Sequence, residues 1–222
     1  MNLSKILIEL LWKRKLGIEE YAHEKEFIRI YNKIKNKSKI HITIGENFNL
    51  YWLLKIRTKS IKGSVAEIGV HHGSSALMLA ECKNQIDKLF LFDTWDIIND
   101  YKNETNHNPK DYIVPIKFIK QLFRGYDNVK ICQGFFPNDT SHFVKNEKFK
   151  LVHIDANLKK SIRDSLNFFY PRLVKDGCII LHDYKVKRGI KTGSYEEVNN
   201  FCKKNKIRPI KMKGNHILIL KC

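Results

Sequence analysis

The sequence predicts an α/β protein built on a mostly parallel sheet of seven strands with helices on both faces. Short apolar runs alternate with segments of helical period from residue 47 onward, which is the pattern of right-handed βαβ crossovers. Two β-rich runs, residues 207–212 and 216–220, then flank Lys213-Gly214-Asn215, a tight-turn signal for an antiparallel hairpin. We therefore expect a Rossmann-like sheet in which a C-terminal antiparallel hairpin completes five parallel strands.

The periodicity of apolar residues and the positions of glycine turns predict the individual strands and helices. We expect the parallel strands at residues 65–68, 89–92, 129–132, 151–154 and 178–181. Helices are expected near residues 48–59, 75–82, 110–124, 159–173 and 194–204. The polar segment 96–111 is too rich in Asn for a core, and it fits either a loop that covers the acceptor or a surface insertion.

The N-terminal region shows two amphipathic helical patterns ahead of this sheet. Their apolar positions are Leu3, Leu7 and Leu10, followed by Tyr21, Phe27, Ile28, Tyr31 and Ile34. We assign residues 1–40 to a helical N-terminal appendage and residues 41–222 to the main domain. The apolar faces are typical of packing or of a homodimer contact, while the interleaved lysines leave open an anionic membrane surface as partner.

Composition excludes several classes of protein. The formal net charge of +18 suggests an anionic partner, but 33 of the 41 basic residues are Lys, and phosphate recognition favours Arg, so we give the charge little weight. Five widely spaced cysteines without a CxxC pair fit a reducing, cytoplasmic compartment. No apolar stretch reaches the ~18 residues of a spanning helix, so we expect no transmembrane segment and no secretory signal.

The turn after the first strand carries the first chemical signal. Gly69 and Gly73 allow close backbone approach to a ligand, but His71 stands where the dinucleotide fingerprint G-x-G-x-x-G needs glycine. Glu67 precedes this turn and suits a ligand ammonium, and Asp93 ends the second strand, where a carboxylate can accept both hydroxyls of a ribose or simply cap a helix. The combination points to S-adenosylmethionine (SAM) as the cofactor.

Longer segments resemble a known family. They are EIGVHHGSS at residues 67–75, FDTW at 92–95, GFFPNDT at 134–140 and VHIDANLKKSIRDSLNFFYPRLVKDGCIILHDY at 152–184. From about residue 46 to 220 the chain resembles the macrocin O-methyltransferase (TylF-like) family of class I SAM-dependent methyltransferases. The resemblance implies a SAM pocket over the first two strands, a sugar hydroxyl as acceptor, and a divalent metal, Mg²⁺ or Mn²⁺, held by acids that end strands four and five.

These observations and the resemblance define the expected site. Cofactor contacts are expected from Glu67, Gly69, His71, Gly73, Ser74, Ser75, Asp93, Thr94, Gly134, Phe135 and Asp155. Catalysis and metal binding are expected from Asp155, His182 and Asp183. We expect no metal role for the adjacent His71 and His72, because neighbouring side chains on a turn diverge.

The chain departs from the family pattern at two positions. Ala156-Asn157 follows Asp155 where relatives carry Gly-Asp, and His182 stands where an Asp is common. Asn157 cannot remove a proton, so either His182 takes it, metal activation suffices, or activity is weak. His182 equally fits an indirect role, as a hydrogen-bond partner of the ligating groups.

Three functions follow from the sequence. The first is a SAM-dependent O-methyltransferase that acts on a hydroxyl of a small molecule, a sugar or glycan building block. The second is a nucleic-acid methyltransferase, because residues 185–222 carry eleven Lys and Arg against two Glu. The third is a non-catalytic binding protein that keeps the methyltransferase fold, since Asn157 and His182 replace acids.

Overall fold

The computed structural model describes residues 20–97, 112–187 and 190–221. The α-helices are α1 (Lys25–Lys35), α2 (Ile44–Trp52), α3 (Ser74–Cys82), α4 (Ile116–Leu122), α5 (Lys159–Phe169) and α6 (Gly193–Asn205). The strands are β1 (Ser64–Ile68), β2 (Leu89–Asp93), β3 (Val129–Gln133), β4 (Phe149–Ile154), β5 (Leu173–Leu181), β6 (Val186–Lys187), β7 (Ile190–Lys191), β8 (Ile210–Lys211) and β9 (Ile217–Leu220).

Seven of these strands form one sheet in the order β3-β2-β1-β4-β5-β9-β8. Strands β1 to β5 pair in parallel, and β9 runs antiparallel to both β5 and β8. The predicted sheet, with its parallel strands and its C-terminal hairpin, is therefore confirmed. Strands β6 and β7 form a separate antiparallel pair.

The register of the central strands sets where the site lies. Ile68 of β1 pairs with both Phe92 of β2 and Ile154 of β4, and Ile154 pairs with Leu181 of β5. The residues that follow these positions consequently leave the sheet side by side at its carboxyl edge. In open α/β sheets this edge is where ligands bind.

Both faces of the sheet are buried under apolar layers. Val65 and Leu151 point into the layer that holds α1, α2 and α3, whereas Ala66 and Val152 point into the layer that holds α5 and α6. Burial on both faces explains why these strands read as continuous apolar runs rather than as alternating ones.

Helix α1 is part of the first of these layers. Its Phe27, Ile30 and Ile34 are fully buried, and the helix packs against α2 and α3. The apolar face that the sequence offered for packing or dimerisation is thus used inside the chain. The other predicted N-terminal helix, with Leu3, Leu7 and Leu10, lies outside the described residues.

Several elements are longer or shorter than the sequence indicates. Helix α2 begins at Ile44 and continues as a π-helix over Leu53–Arg57, and β5 begins at Leu173, five residues before the predicted start. Helix α4 is shorter than the helix expected near 110–124, because the described residues 112–115 and 123–124 are not α-helical. Most of the polar segment 96–111 lies outside the described residues. Within the described ranges, no helix combines the length and apolarity that crossing a membrane requires.

Candidate cofactor and acceptor site

A cavity of about 420 Å³ opens at the carboxyl edge of β1, β2, β4 and β5. Its volume falls within the range of small-molecule pockets. The predicted residues that line it are Gly69, His71, Ser74, Ser75, Asp93, Thr94, Gly134, Phe135, Asp155, His182 and Asp183. The structure therefore brings the predicted cofactor and acceptor residues to one cavity, with Glu67 and Gly73 as the two exceptions.

The loop after β1 is fixed by its glycine and by Asp93. Gly69 has a φ of +85°, and a Cβ there would lie 2.3 Å from the carbonyl oxygen of Asp155, so a side chain collides with backbone before it reaches a ligand. Oδ2 of Asp93 accepts hydrogen bonds from the amides of Val70 at 2.8 Å and His71 at 2.7 Å, and Oδ1 accepts one from the amide of Trp95 at 3.1 Å. Asp93 thus ties the end of β2 to the cofactor loop.

Replacing Asp93 by Ala should weaken binding of S-adenosylhomocysteine by about tenfold to a hundredfold, because hydrogen bonds to a charged acceptor contribute roughly 1.5–3 kcal/mol each. The affinity would fall both because the loop after β1 is less constrained and because any hydrogen bond from the ribose to the carboxylate is lost. Asp93→Asn is the matched variant, since its amide oxygen can still accept from Val70 and His71. Isothermal titration and thermal melting of both variants measure the two effects, and unchanged affinity in Asp93→Ala would contradict the assignment.

Glu67 and Gly73 lie behind the cavity wall rather than on it. Glu67 is fully buried, and its Oε1 lies 2.7 Å from Nδ1 of the equally buried His153. Burial raises the pKa of Glu67, and the hydrogen bond from His153 opposes that rise. Gly73 has a left-handed φ of +82° before α3, a conformation that favours glycine, and a Cβ there would also lie 2.8 Å from the side chain of Leu122. Cofactor contact by Glu67 or Gly73 stays a prediction.

Just after the end of β5, His182 lies among three carboxylates. Its Nδ1 is 3.0 Å from Oδ1 of Asp155 and 3.7 Å from Oδ1 of Asp183, and its Nε2 is 3.3 Å from Oε1 of Glu46. Burial by itself would lower the pKa of His182, but the hydrogen bonds to Asp155 and Glu46 outweigh it and raise the pKa to about 10. The imidazole is therefore protonated at neutral pH and donates from both nitrogens.

Glu46 is the member of this group that the sequence analysis missed. Its backbone amide and Oε2 form a capping box with Thr43 at the start of α2, and its Oε1 accepts a hydrogen bond from the amide of Asn215 at 2.8 Å. Burial alone would raise the pKa of Glu46, but the hydrogen bonds from His182, Asn215 and Thr43 hold it well below its usual range. The Thr-x-x-Glu pattern is present in the sequence, but it predicts the start of a helix and not a contact with the residue after β5.

The predicted metal set does not fit a divalent ion in this arrangement. Both nitrogens of His182 face carboxylates, so the ring directs neither nitrogen at an open coordination position. Oδ1 of Asp183 forms an ion pair with Nζ of Lys185. Oδ1 of Asp155 is engaged by His182. We therefore derive no step through a metal at Asp155, His182 and Asp183.

The expectation that His71 and His72 diverge is wrong. Their ring centroids are 4.1 Å apart and their Nδ1 atoms are 3.2 Å apart. The cause is the backbone, because His71 adopts a left-handed φ of +50° and does not follow the extended geometry in which successive side chains alternate. His41, from the segment before α2, lies against both rings and lines the cavity with Ile42.

This sheet order, the glycine turn after β1 and the acids at the ends of β2, β4 and β5 are those of a SAM-dependent methyltransferase. The chain belongs to the macrocin-O-methyltransferase (TylF) family, whose sequence profile matches residues 49–213. It is a SAM-dependent methyltransferase. No curated protein sequence is significantly similar to the chain.

Solved structures share the fold at low sequence identity. The O-methyltransferase NovP is 18% identical, with a TM-score of 0.67 over 81% of either chain. CalS11, a calicheamicin methyltransferase, is 12% identical, with a TM-score of 0.62 over 89% of this chain and 92% of its own. The cofactor-bound Rv0187 from MTB is 14% identical, with a TM-score of 0.56 over 88% of either chain.

Proposed function

We propose that this chain transfers the methyl group of SAM to a hydroxyl of a small molecule, and that the acceptor is a sugar or glycan building block. The observation that carries the proposal is the shared cavity, because the cofactor loop after β1 and the charged groups after β4 and β5 line the same space. Membership of a family of macrocin O-methyltransferases supports the acceptor class.

The cofactor side has the donors and acceptors that SAM needs. Ser74 and Ser75 open helix α3, where backbone amides and the helix dipole favour the carboxylate of an amino acid. Asp93 and Thr94 offer oxygens to ribose hydroxyls, and Phe135 offers an apolar wall to adenine. SAM, when bound, supplies a methyl group on a positively charged sulfur.

We propose that Asp183 accepts the proton that the acceptor hydroxyl loses. The hydroxyl oxygen gains the methyl group and must lose its proton, which becomes more acidic as the new C–O bond forms. His182 cannot take that proton while it is protonated, and Asn157 cannot take it in any state. Asp183 is partly exposed at the cavity and keeps acceptor capacity beside its Lys185 ion pair, so its carboxylate accepts the proton. Asp155 and His182 position the acceptor.

The function is tested by binding and then by turnover. Isothermal titration should show S-adenosylhomocysteine binding, and labelled SAM should methylate members of a panel of nucleotide sugars and deoxysugar glycosides. A panel of RNA oligonucleotides tests the basic C-terminal segment in parallel. Binding without turnover on any acceptor would favour a non-catalytic protein. Turnover only on RNA would show that the acceptor is a nucleic acid and not a small molecule. No cofactor binding at millimolar concentration would overturn the proposal.

Chelation should leave turnover within about twofold, because positioning and a carboxylate base complete the reaction without an ion at the acceptor site. The measurement is the initial rate after exhaustive EDTA treatment, with metal content verified by elemental analysis. A large loss of rate that Mg²⁺ or Mn²⁺ restores would instead indicate that Asp155 and Asp183 bind a divalent metal.

A further inference from the structure

Three imidazoles meet at the wall of the cavity, apart from the acceptor residues. The ring centroid of His41 is 4.7 Å from that of His71 and 5.1 Å from that of His72. One ring nitrogen from each of the three lies within 4.8 Å of the other two. Among the residues that the structure describes, no other trio of His, Cys, Asp or Glu side chains gathers its donor atoms in this way.

The backbone holds this cluster in place through contacts that do not involve the rings. The left-handed conformation of His71 is fixed by the hydrogen bond from its amide to Asp93, at 2.7 Å. The hydroxyl of Ser38 donates to the carbonyl of His72 at 2.8 Å, which ties the segment that carries His41 to the cofactor loop. A non-glycine residue in a left-handed conformation that is held from outside is a feature of functional sites.

The donor set selects the kind of ion. Imidazole nitrogens suit zinc, copper, nickel and iron, whereas magnesium and calcium require oxygen. A tetrahedral zinc ion with Zn–N bonds near 2.05 Å places two donors roughly 3.3 Å apart. The Nδ1 atoms of His71 and His72 are already 3.2 Å apart. Both rings must carry their N–H on Nε2 for both Nδ1 lone pairs to face an ion, so the ring that donates in the Nδ1 to Nδ1 contact changes its tautomer and not its charge.

We infer that His41, His71 and His72 form a binding site for a transition-metal ion, with Zn²⁺ the best match and a water or ligand atom in the fourth position. Three histidines with one open position is an arrangement that zinc adopts in proteins. His41 and His71 line the cavity, so the ion joins the segment before α2 to the cofactor loop within the cavity wall. This site goes beyond the proposed function and shares no residue with Asp155, His182 and Asp183.

Equilibrium dialysis of the full chain against Zn²⁺, with elemental analysis, tests the site. Wild-type protein should retain one Zn²⁺ that His41→Ala and His72→Ala each bind at least about tenfold more weakly, because even loss of a hydrogen-bond partner of a ligand costs that much. His41 is exposed, so its replacement should not impair folding. Co²⁺ in place of Zn²⁺ should give the visible absorption of a tetrahedral site in wild type and not in either variant. Zn²⁺ should also raise the melting temperature of wild type but not of His41→Ala or His72→Ala.

Two controls separate this site from others. His142→Ala removes an exposed histidine from the helical turn Ser141–Val144 and should bind Zn²⁺ as wild type does. Asp183→Asn should likewise retain the ion, which excludes the acceptor residues as its ligands. Absence of Zn²⁺ from wild type, or equal affinity in His72→Ala, His41→Ala and His142→Ala, overturns the inference. Titration of S-adenosylhomocysteine into the same samples reports on the proposed function independently.

Discussion

Asp183→Asn should lower the rate of methyl transfer by about 10²- to 10⁴-fold, the range that a positioned general base contributes. The affinity for S-adenosylhomocysteine should stay within about threefold, since we propose that Asp183 faces the acceptor and not the cofactor. Asparagine keeps the shape of the side chain but cannot accept the proton that the acceptor hydroxyl loses. Single-turnover kinetics with labelled SAM measure the chemical step, and titration measures binding.

The ion pair between Asp183 and Lys185 supplies the matched control. Lys185→Met removes the same ion pair but leaves the carboxylate, so it should retain most of the wild-type rate. An equal loss in Lys185→Met and Asp183→Asn would mean that the ion pair, and not proton acceptance, is what matters. Full activity in Asp183→Asn would show that another residue accepts the proton. Asp155, which also lines the cavity, would be the next candidate.

The parts of the site that sequence could predict are those fixed by sheet geometry. Parallel strands end at one edge, so Asp93, Asp155 and Asp183 could be placed together from the apolar runs that precede them. The fold was predicted for the same reason, whereas the family was predicted from the resemblance of segments such as 67–75 and 152–184. Asp93 also shows the limit of this reasoning, since its hydrogen bonds to the loop amides depend on the exact path of the chain after Gly69.

The parts that sequence could not predict depend on contacts between distant segments. Glu46 meets His182 only because α2 packs beside the end of β5, and no periodicity in the sequence records that contact. His41 is the first residue assigned to the main domain, and no pattern in the sequence indicates that it lines the cavity. The approach of His71 and His72 required a left-handed residue that is not glycine, which single-sequence reasoning treats as an exception.

Glu46→Gln should destabilise the protein by about 1.5–3 kcal/mol near pH 6, because it removes one charged partner of the largely buried His182 while Asp155 remains. The effect should depend on pH. His182 has its pKa raised from 6.5 to about 10 in the folded chain, so its contribution is complete below pH 6.5 and is lost as the pH rises toward 10. Glu46 has its pKa lowered from 4.5, so its contribution is present above pH 4.5 and is lost as the pH falls.

The stability difference between wild type and Glu46→Gln should therefore be largest between about pH 4.5 and 6.5 and decline on both sides. Urea denaturation across this pH range measures it. Thr43→Ala is the matched control on the alkaline side, since it removes the hydroxyl that caps α2 but leaves the contact between Glu46 and His182, so it should cost about 1 kcal/mol without a decline above pH 6.5. A pH-independent loss in Glu46→Gln would show that Glu46 acts only as a helix cap, and that the carboxylates around His182 do not hold its proton.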